Sequence, residues 1–222
     1  MLGISRYRYW GFTFLMILLS ATYLSETKAA DNNFIGVSEL TSELKTKKTD
    51  RIINAMNTIK QTPPNRQTLI FLHDLWDEKR QKHPDLPWEL IKTNAIKLEI
   101  ADILLQADAN KVIKINKEEF HRFVLALIDT EDEGIARNAI MTLSIIDDGK
   151  DVDKILIIAK RQHPDTFRAS VLSLTKMCNP EAEKALDKLE KQVTTHDQIS
   201  FLKETRSRMT TYKERTNWCS GK

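Results

Sequence analysis

A short repeated pattern in the second half of the chain most constrains what this sequence can fold into. The segment RNAIMTL at residues 137–143 lines up with RASVLSL at residues 168–174, an offset of 31 residues. The same offset superimposes three further pairs: Asp148 on Asn179, Ile155 on Leu186 and Ile158 on Leu189. Each unit corresponds to two antiparallel helices, and units of this size bury their apolar faces only by stacking on neighbours. The sequence therefore predicts stacked helix pairs.

Apolar residues also recur with helical spacing in most of the chain before this repeat. With only 6 Gly and 6 Pro in 222 residues, few positions interrupt a helix. In the first half, we predict a helix through Val37, Leu40 and Leu44, a helix from Thr49 to Pro63, a helix from Asn65, and a long helix from Asp85 through Leu105. The next helix begins with a capping box of Asn116 and Glu119, and three more follow at residues 133–146, 151–161 and 165–177. The last two begin at Asn179 and at a capping box of Thr195 and Gln198. No segment alternates as a strand does, so the predicted fold class is all-α.

The repeated units resemble the HEAT-repeat family. Each has an Arg followed by small and apolar residues, a turn containing Asp or Asn, and a second amphipathic helix, best over residues 133–193 and less clearly over 85–129. The resemblance implies a short HEAT-like α-solenoid that binds other proteins, although the repeats here are few and irregular. We expect a single domain over residues 31–222, with N-terminal helices at 31–64, the repeat stack at 65–193, and a C-terminal helix and tail at 194–222.

Residues 1–30 have the pattern of a secretory signal peptide. Arg6 and Arg8 precede an apolar stretch over residues 9–24, and the segment SETKAA that follows ends in the small residues Ala29 and Ala30. The alternative is a retained membrane anchor, for which the stretch is shorter than the ~20 residues that a spanning helix needs. We therefore expect an exported protein, periplasmic or secreted after cleavage, whose mature chain does not insert into a membrane.

The charge of the chain disfavours nucleic acid as a partner. There are 34 Lys and Arg against 31 Asp and Glu, and without the first 30 residues the balance is 31 against 30. A nucleic-acid-binding surface needs concentrated basic residues that neutralise phosphates. No basic run stands out here, so we expect the partner to be another protein.

The two cysteines, Cys178 and Cys219, fit an oxidising compartment. An even number of cysteines leaves no obligatory free thiol, and we predict that they form a disulfide. Their separation of 41 residues gives a bridge worth about 4 kcal/mol on the chain-entropy relation. The alternative is a buried thiol at Cys178 and a loose terminal thiol at Cys219.

Motifs that carry chemistry are missing from the sequence. The tripeptide His-Pro-Asp occurs at residues 83–85 and 163–165, each time after a basic stretch. In J-domain co-chaperones such a tripeptide contacts the partner, but Pro and Asp also end one helix and cap the next, and we prefer that interpretation. The five histidines lack metal-ligand spacing, and neither a phosphate-binding loop nor a nucleophile elbow is present. We predict no cofactor, no metal and no catalytic residue.

The remaining candidates are surface residues that could bind a protein. Lys160 aligns with Lys191 at the repeat offset, and Lys184 and Lys188 lie nearby, so the four could form a basic strip for an acidic partner. An ordinary solvated helix face would show the same charges. The tryptophans 76, 88 and 218 could anchor an interface, although the first two fall on apolar stripes and suit the core. We expect an exported, non-catalytic protein-binding module or scaffold; an inhibitor or immunity protein against a secreted toxin or enzyme, or an enzyme with an unrecognised site, is the alternative.

Overall fold

The computed structural model describes residues 35–62, 64–160, 163–216 and 219, and their regular secondary structure is entirely helical. The predicted signal peptide lies outside this part of the chain. In chain order the helices are α1 (Val37–Lys45), α2 (Thr49–Gln61), α3 (Arg66–Trp76), α4 (Trp88–Ile91), α5 (Asn94–Ala109), α6 (Lys117–Leu127), α7 (Glu133–Ile146), α8 (Val152–Lys160), α9 (Pro164–Lys176), α10 (Pro180–Glu190) and α11 (His196–Thr216). A 3-10 turn at Gly149–Asp151 leads into α8. The all-α prediction is confirmed.

The helices contact one another in two rows. In the first row α5 packs against α2 and α7, α9 packs against α7, and α11 packs against α9. In the second row α3, α6, α8 and α10 each pack against a helix of the first row, and α8 also packs against α10. Aliphatic side chains fill the space between the rows, and most of them are less than 5% exposed.

The residues that the 31-residue offset superimposes occupy matching places in the structure. Leu143 in α7 and Leu174 in α9 are both fully buried. Asp148 caps the 3-10 turn by accepting from the Lys150 amide, and Asn179 caps α10 by accepting from the Ala182 amide. The two aligned segments therefore share their burial and their capping.

One predicted helix start and one predicted capping box are wrong. The long helix expected from Asp85 is divided into α4 and α5, because the chain turns between Lys92 and Thr93. The helix start expected at Asn116 is confirmed, since this residue is the N-cap of α6, but the capping box is wrong because the Asn116 side chain makes no capping hydrogen bond. Its expected partner Glu119 instead accepts from Trp76 Nε1 at 2.8 Å.

The two His-Pro-Asp tripeptides serve different local structures. His163 is the N-cap of α9 with Pro164 at the first helical position, so this one starts a helix as expected, although the cap is His rather than Asp. His83 lies in an irregular turn before α4: its carbonyl accepts from Trp88 Nε1 at 2.9 Å and its ring packs edge-on against Phe71. The helix start expected at Asp85 is therefore absent.

The turns at the N-terminal ends of α8 and α10 are joined by hydrogen bonds. Asp147 adopts a left-handed conformation with φ 58°, and its carboxylate accepts from the Cys178 amide at 3.1 Å and from Asn179 Nδ2 at 2.9 Å. Cys178 forms a disulfide with Cys219, across which the two Cα atoms are 5.4 Å apart. We call this side of the stack the closed edge, because the C-terminal end of the chain is bound to it.

Candidate functional site

The four lysines of the predicted basic strip are all exposed. Lys184 and Lys188 lie four residues apart on α10, Lys191 follows at its C-terminal end, and Lys160 ends the neighbouring helix α8. Residues at this spacing share one helix face. Among the described residues, none of the four takes part in an ion pair. Ile157, which precedes Lys160 on α8, is 55% exposed and adds an apolar side chain to this surface.

The acidic residues of α10 are held on a different face. Arg206 of α11 contacts three carboxylates there: Asp187 at 2.8 Å, Glu190 at 2.9 Å and Glu183 at 3.4 Å. Burial lowers the pKa of Arg206, but its hydrogen bond and attraction to the carboxylates outweigh burial, so the net pKa is raised. Arg206 offsets only part of the charge of these three acids, which lie on a different face of α10 from Lys184, Lys188 and Lys191.

A small pocket opens at the edge opposite the closed edge, where α8 ends and α9 begins. Its volume is about 150 Å³, and we call it the basic pocket because Lys160 lies at its rim. Ala159, Phe167 and Leu189, each at most 2% exposed, contribute apolar wall. Gln198, in the first turn of α11, also lines it, and its Oε1 is buried with no hydrogen-bond partner among the described residues.

A second pocket of about 190 Å³ lies one unit earlier, and we call it the acidic pocket. Three of its wall residues are related to walls of the basic pocket by the 31-residue offset: Ile128 to Ala159, Ala136 to Phe167, and Ile158 to Leu189. Its rim carries the carboxylates Glu131 and Glu133. His163 Nε2 pairs with Glu133 at 2.8 Å, whereas the buried His163 Nδ1 has no hydrogen-bond partner in the described chain. Three wall residues of the two pockets are thus related by the sequence offset, and the rims are opposite in charge.

Charged side chains in the interior are paired across helices. Lys60 of α2 contacts Asp102 of α5 at 3.0 Å and also pairs with Glu99. Burial lowers the pKa of Lys60, but the attraction of Asp102 and Glu99 is stronger, so the net pKa is raised. Burial also lowers the pKa of Lys176, against a smaller opposing attraction from Asp102. A lysine held protonated between two carboxylates is neither a base nor a nucleophile at neutral pH, so the Lys60 group is structural.

Asp74 is the centre of a second interior charge group. It is 7% exposed and accepts from Lys79 at 3.1 Å and from Lys82 at 3.1 Å. Burial raises the pKa of Asp74, but the hydrogen bonds and charges of the two lysines outweigh it, and the net pKa is lowered. Because Lys79 and Lys82 belong to the turn before α4, these contacts hold that turn against α3.

A buried His–Asp pair joins α6 to the 3-10 turn. His121 Nε2 lies 2.9 Å and 2.8 Å from the two carboxylate oxygens of Asp151, whose side chain is 3% exposed. Neither residue lines the basic pocket or the acidic pocket. The pair was not identified from the sequence, because 30 residues separate its members.

The other predicted site residues are placed as follows. Trp76 and Trp88 are 4% and 7% exposed, so both belong to the core, while Trp218 lies outside the described residues. Within the described part of the chain no three His, Cys, Asp or Glu side chains group as metal ligands. Over the same residues, no helix has the length and hydropathy to cross a bilayer.

Sequence reasoning proposed the lysine strip, whose four members are exposed, but missed both pockets. The signal for the pockets was present in the repeat alignment, because superimposed wall residues imply superimposed cavities. The sequence could not show that Gln198 belongs to the basic pocket, since this residue comes from the next helix. Comparison with known proteins gives no further assignment: no family model, no curated protein and no solved structure matches this chain.

Proposed function

We propose that this chain is an exported, non-catalytic protein-binding module built as a short HEAT-like stack. The two rows of helices and the repeat-related pockets support a repeat architecture. The disulfide is compatible with an oxidising compartment, and the N-terminal pattern of residues 1–30 favours export through a signal peptide. The periplasm is the compartment that we propose.

The observation that carries the proposal is the exposed surface of α8 and α10. It combines four lysines outside the ion pairs of the described chain with the exposed side chain of Ile157. The acids of α10 that Arg206 contacts lie on another face, so the four lysines stand together without a carboxylate paired to them in the described structure, in a chain that is nearly neutral. Charge complementarity accelerates association and selects partners, and an apolar side chain adds burial at the contact. An acidic protein surface is the partner that fits it.

The test is a charge reversal of the strip on α10. Lys184→Glu, Lys188→Glu and Lys191→Glu are introduced together into the full-length chain, and proteins crosslinked to it in envelope extract are quantified by mass spectrometry. We expect at least a roughly tenfold loss of an acidic partner, since several charge contacts are reversed at once. A triple Lys→Gln variant should show a smaller loss in the same partner.

The matched control reverses the same number of exposed lysines elsewhere, at Lys45, Lys48 and Lys114. Both variants are first shown by circular dichroism and urea unfolding to retain the helical fold. Equal partner recovery from the strip variant and the unmodified protein refutes the proposal. An equal loss from the control variant also refutes it, because the effect would then reflect net charge.

A further inference from the structure

We propose that the edge carrying the two pockets binds an extended segment of a partner protein, with a tyrosine in the basic pocket and an arginine or lysine in the acidic pocket. The inference rests on the proposed binding function and specifies the chemistry of the partner. It follows from the size, the lining and the spacing of the two pockets.

The size of the basic pocket selects a side chain rather than a free ligand. Small-molecule sites have volumes of roughly 300–1,000 Å³, well above the 150 Å³ found here. A cavity of about 150 Å³ is large enough for one benzene ring, and this one combines apolar wall with the polar side chains of Lys160, Gln192 and Gln198.

The polar groups of the basic pocket select tyrosine among aromatic side chains. Gln198 Oε1 is a buried acceptor with no partner among the described residues, and a buried unpaired polar atom destabilises the protein unless a ligand or water satisfies it. A phenol hydroxyl donates such a hydrogen bond, whereas a phenylalanine ring cannot. Lys160 at the rim, with Lys191 at the end of the packed helix α10, favours acidic residues beside the tyrosine.

The acidic pocket has the opposite preference. Glu131 and Glu133 are exposed at its rim, and only Glu133 is engaged by His163 in the described structure. A guanidinium or ammonium group is the natural partner of two carboxylates, and its aliphatic stem can lie against Ile128 and Ile158. The partner segment is therefore expected to carry both a basic side chain and an aromatic one.

The repeat relation sets the spacing of these two side chains. Packed helices lie about 8–10 Å apart, so repeat-related pockets on adjacent units are separated by roughly that distance. An extended segment in the polyproline II conformation advances about 3.1 Å per residue and has three residues per turn, so every third side chain faces the same side. The two anchors are thus expected about three residues apart, which gives a segment of the form Arg-x-x-Tyr or its reverse with acidic flanking residues.

The experiment uses fluorescently labelled synthetic peptides of about twelve residues and the protein made from the full-length chain. Peptides with Arg-x-x-Tyr and Tyr-x-x-Arg between glutamates are compared by fluorescence anisotropy with versions that replace Tyr by Phe or Ala, or Arg by Ala. For one of the two orders we expect roughly tenfold weaker binding on Tyr→Ala and on Arg→Ala. Tyr→Phe should weaken binding by roughly 2- to 10-fold, the effect of one hydrogen bond.

Protein variants assign each preference to its pocket. Gln198→Leu should abolish the preference for Tyr over Phe, and Glu131→Gln should reduce the preference for Arg. The matched controls Gln67→Leu and Glu118→Gln change equally exposed or more exposed residues away from both pockets and should leave all affinities unchanged.

Three results would overturn the inference: no peptide binds with a dissociation constant below about 1 mM, the Ala-substituted peptides bind as well as the parents, or the preferences survive in Gln198→Leu and Glu131→Gln. Each of these outcomes leaves the proposed function standing if the lysine strip still governs partner capture. If charge reversal of the lysine strip does not reduce partner capture, the proposed function is contradicted. The peptide affinities still measure binding at the two pockets independently of that result.

Discussion

Cleavage of the Cys178–Cys219 disulfide is expected to lower the free energy of unfolding by about 3–4 kcal/mol. The bridge closes a segment of 41 residues, and the chain-entropy relation for that length gives about 13 cal/mol/K, or about 4 kcal/mol at 25 °C. The folded state should survive the cut, because Lys213 Nζ donates to the Met177 carbonyl at 2.7 Å and Met209 is buried. The loss therefore arises mainly from the greater freedom of the unfolded chain.

The assay is urea unfolding followed by far-ultraviolet circular dichroism, with and without a phosphine reductant. A Cys178→Ser, Cys219→Ser variant should match the reduced protein in stability and should not respond to the reductant. Intact mass after alkylation without reductant establishes beforehand that the purified protein is oxidised.

Three results would contradict this reasoning. A difference below about 1 kcal/mol would show that the bridge does not constrain the unfolded chain as the entropy relation requires. A separate early transition with an unchanged main midpoint would show that α11 unfolds independently once the bond is cut. Alkylation of both thiols in untreated protein would instead show that the bridge does not form.

Three further predictions test the core, the acid response and export. Leu143→Ala and Leu174→Ala should each cost about 2–5 kcal/mol in urea unfolding because both leucines are fully buried, and changes under about 1 kcal/mol would contradict the packing described. The pKa of Asp74 is lower in the folded than in the unfolded protein, so its ionised form stabilises the fold above the unfolded pKa of 3.8, and this stability is lost as the pH falls through the folded pKa. Asp74→Asn should therefore flatten the decline of the urea midpoint below about pH 4. An unchanged decline would show that Asp74 does not cause it. If residues 1–30 are a signal, the exported protein should begin at Ala30 or Asp31 by intact mass, and recovery of chains starting at Met1 from the membrane pellet would refute this.

Helix boundaries were predicted correctly where a local signal, such as an N-cap residue, determines them. Asn65 and Asn179 are both observed caps, accepting from Thr68 at 2.7 Å and from Ala182 at 2.9 Å. These contacts lie within four residues, so propensity and side-chain chemistry decide them without help from the fold. The same holds for the helix at residues 133–146, whose bounds were predicted as they are observed.

Contacts between residues far apart in the sequence could not be predicted in this way. Glu119 has the spacing of a capping residue, but Trp76, 43 positions away, offers an indole N–H that needs a partner on burial. The Arg206 contacts to α10 and the His121–Asp151 pair are likewise products of packing. A capping hydrogen bond contributes only about 1 kcal/mol, so a buried tertiary partner readily displaces it.

The two edges of the stack differ in a way that bears on binding. At the closed edge, the Asp147 carboxylate accepts hydrogen bonds from the Cys178 amide and Asn179 Nδ2, and the disulfide attaches Cys219 to the same turn. At the opposite edge, the pockets hold two buried polar atoms, on His163 and Gln198, without partners in the described chain. A stack that needed only stability would gain by pairing these atoms internally, because an unpaired buried polar group costs roughly 1–3 kcal/mol. Their location in repeat-related pockets beside opposite charges is the reason to look for a partner at that edge rather than at the closed one.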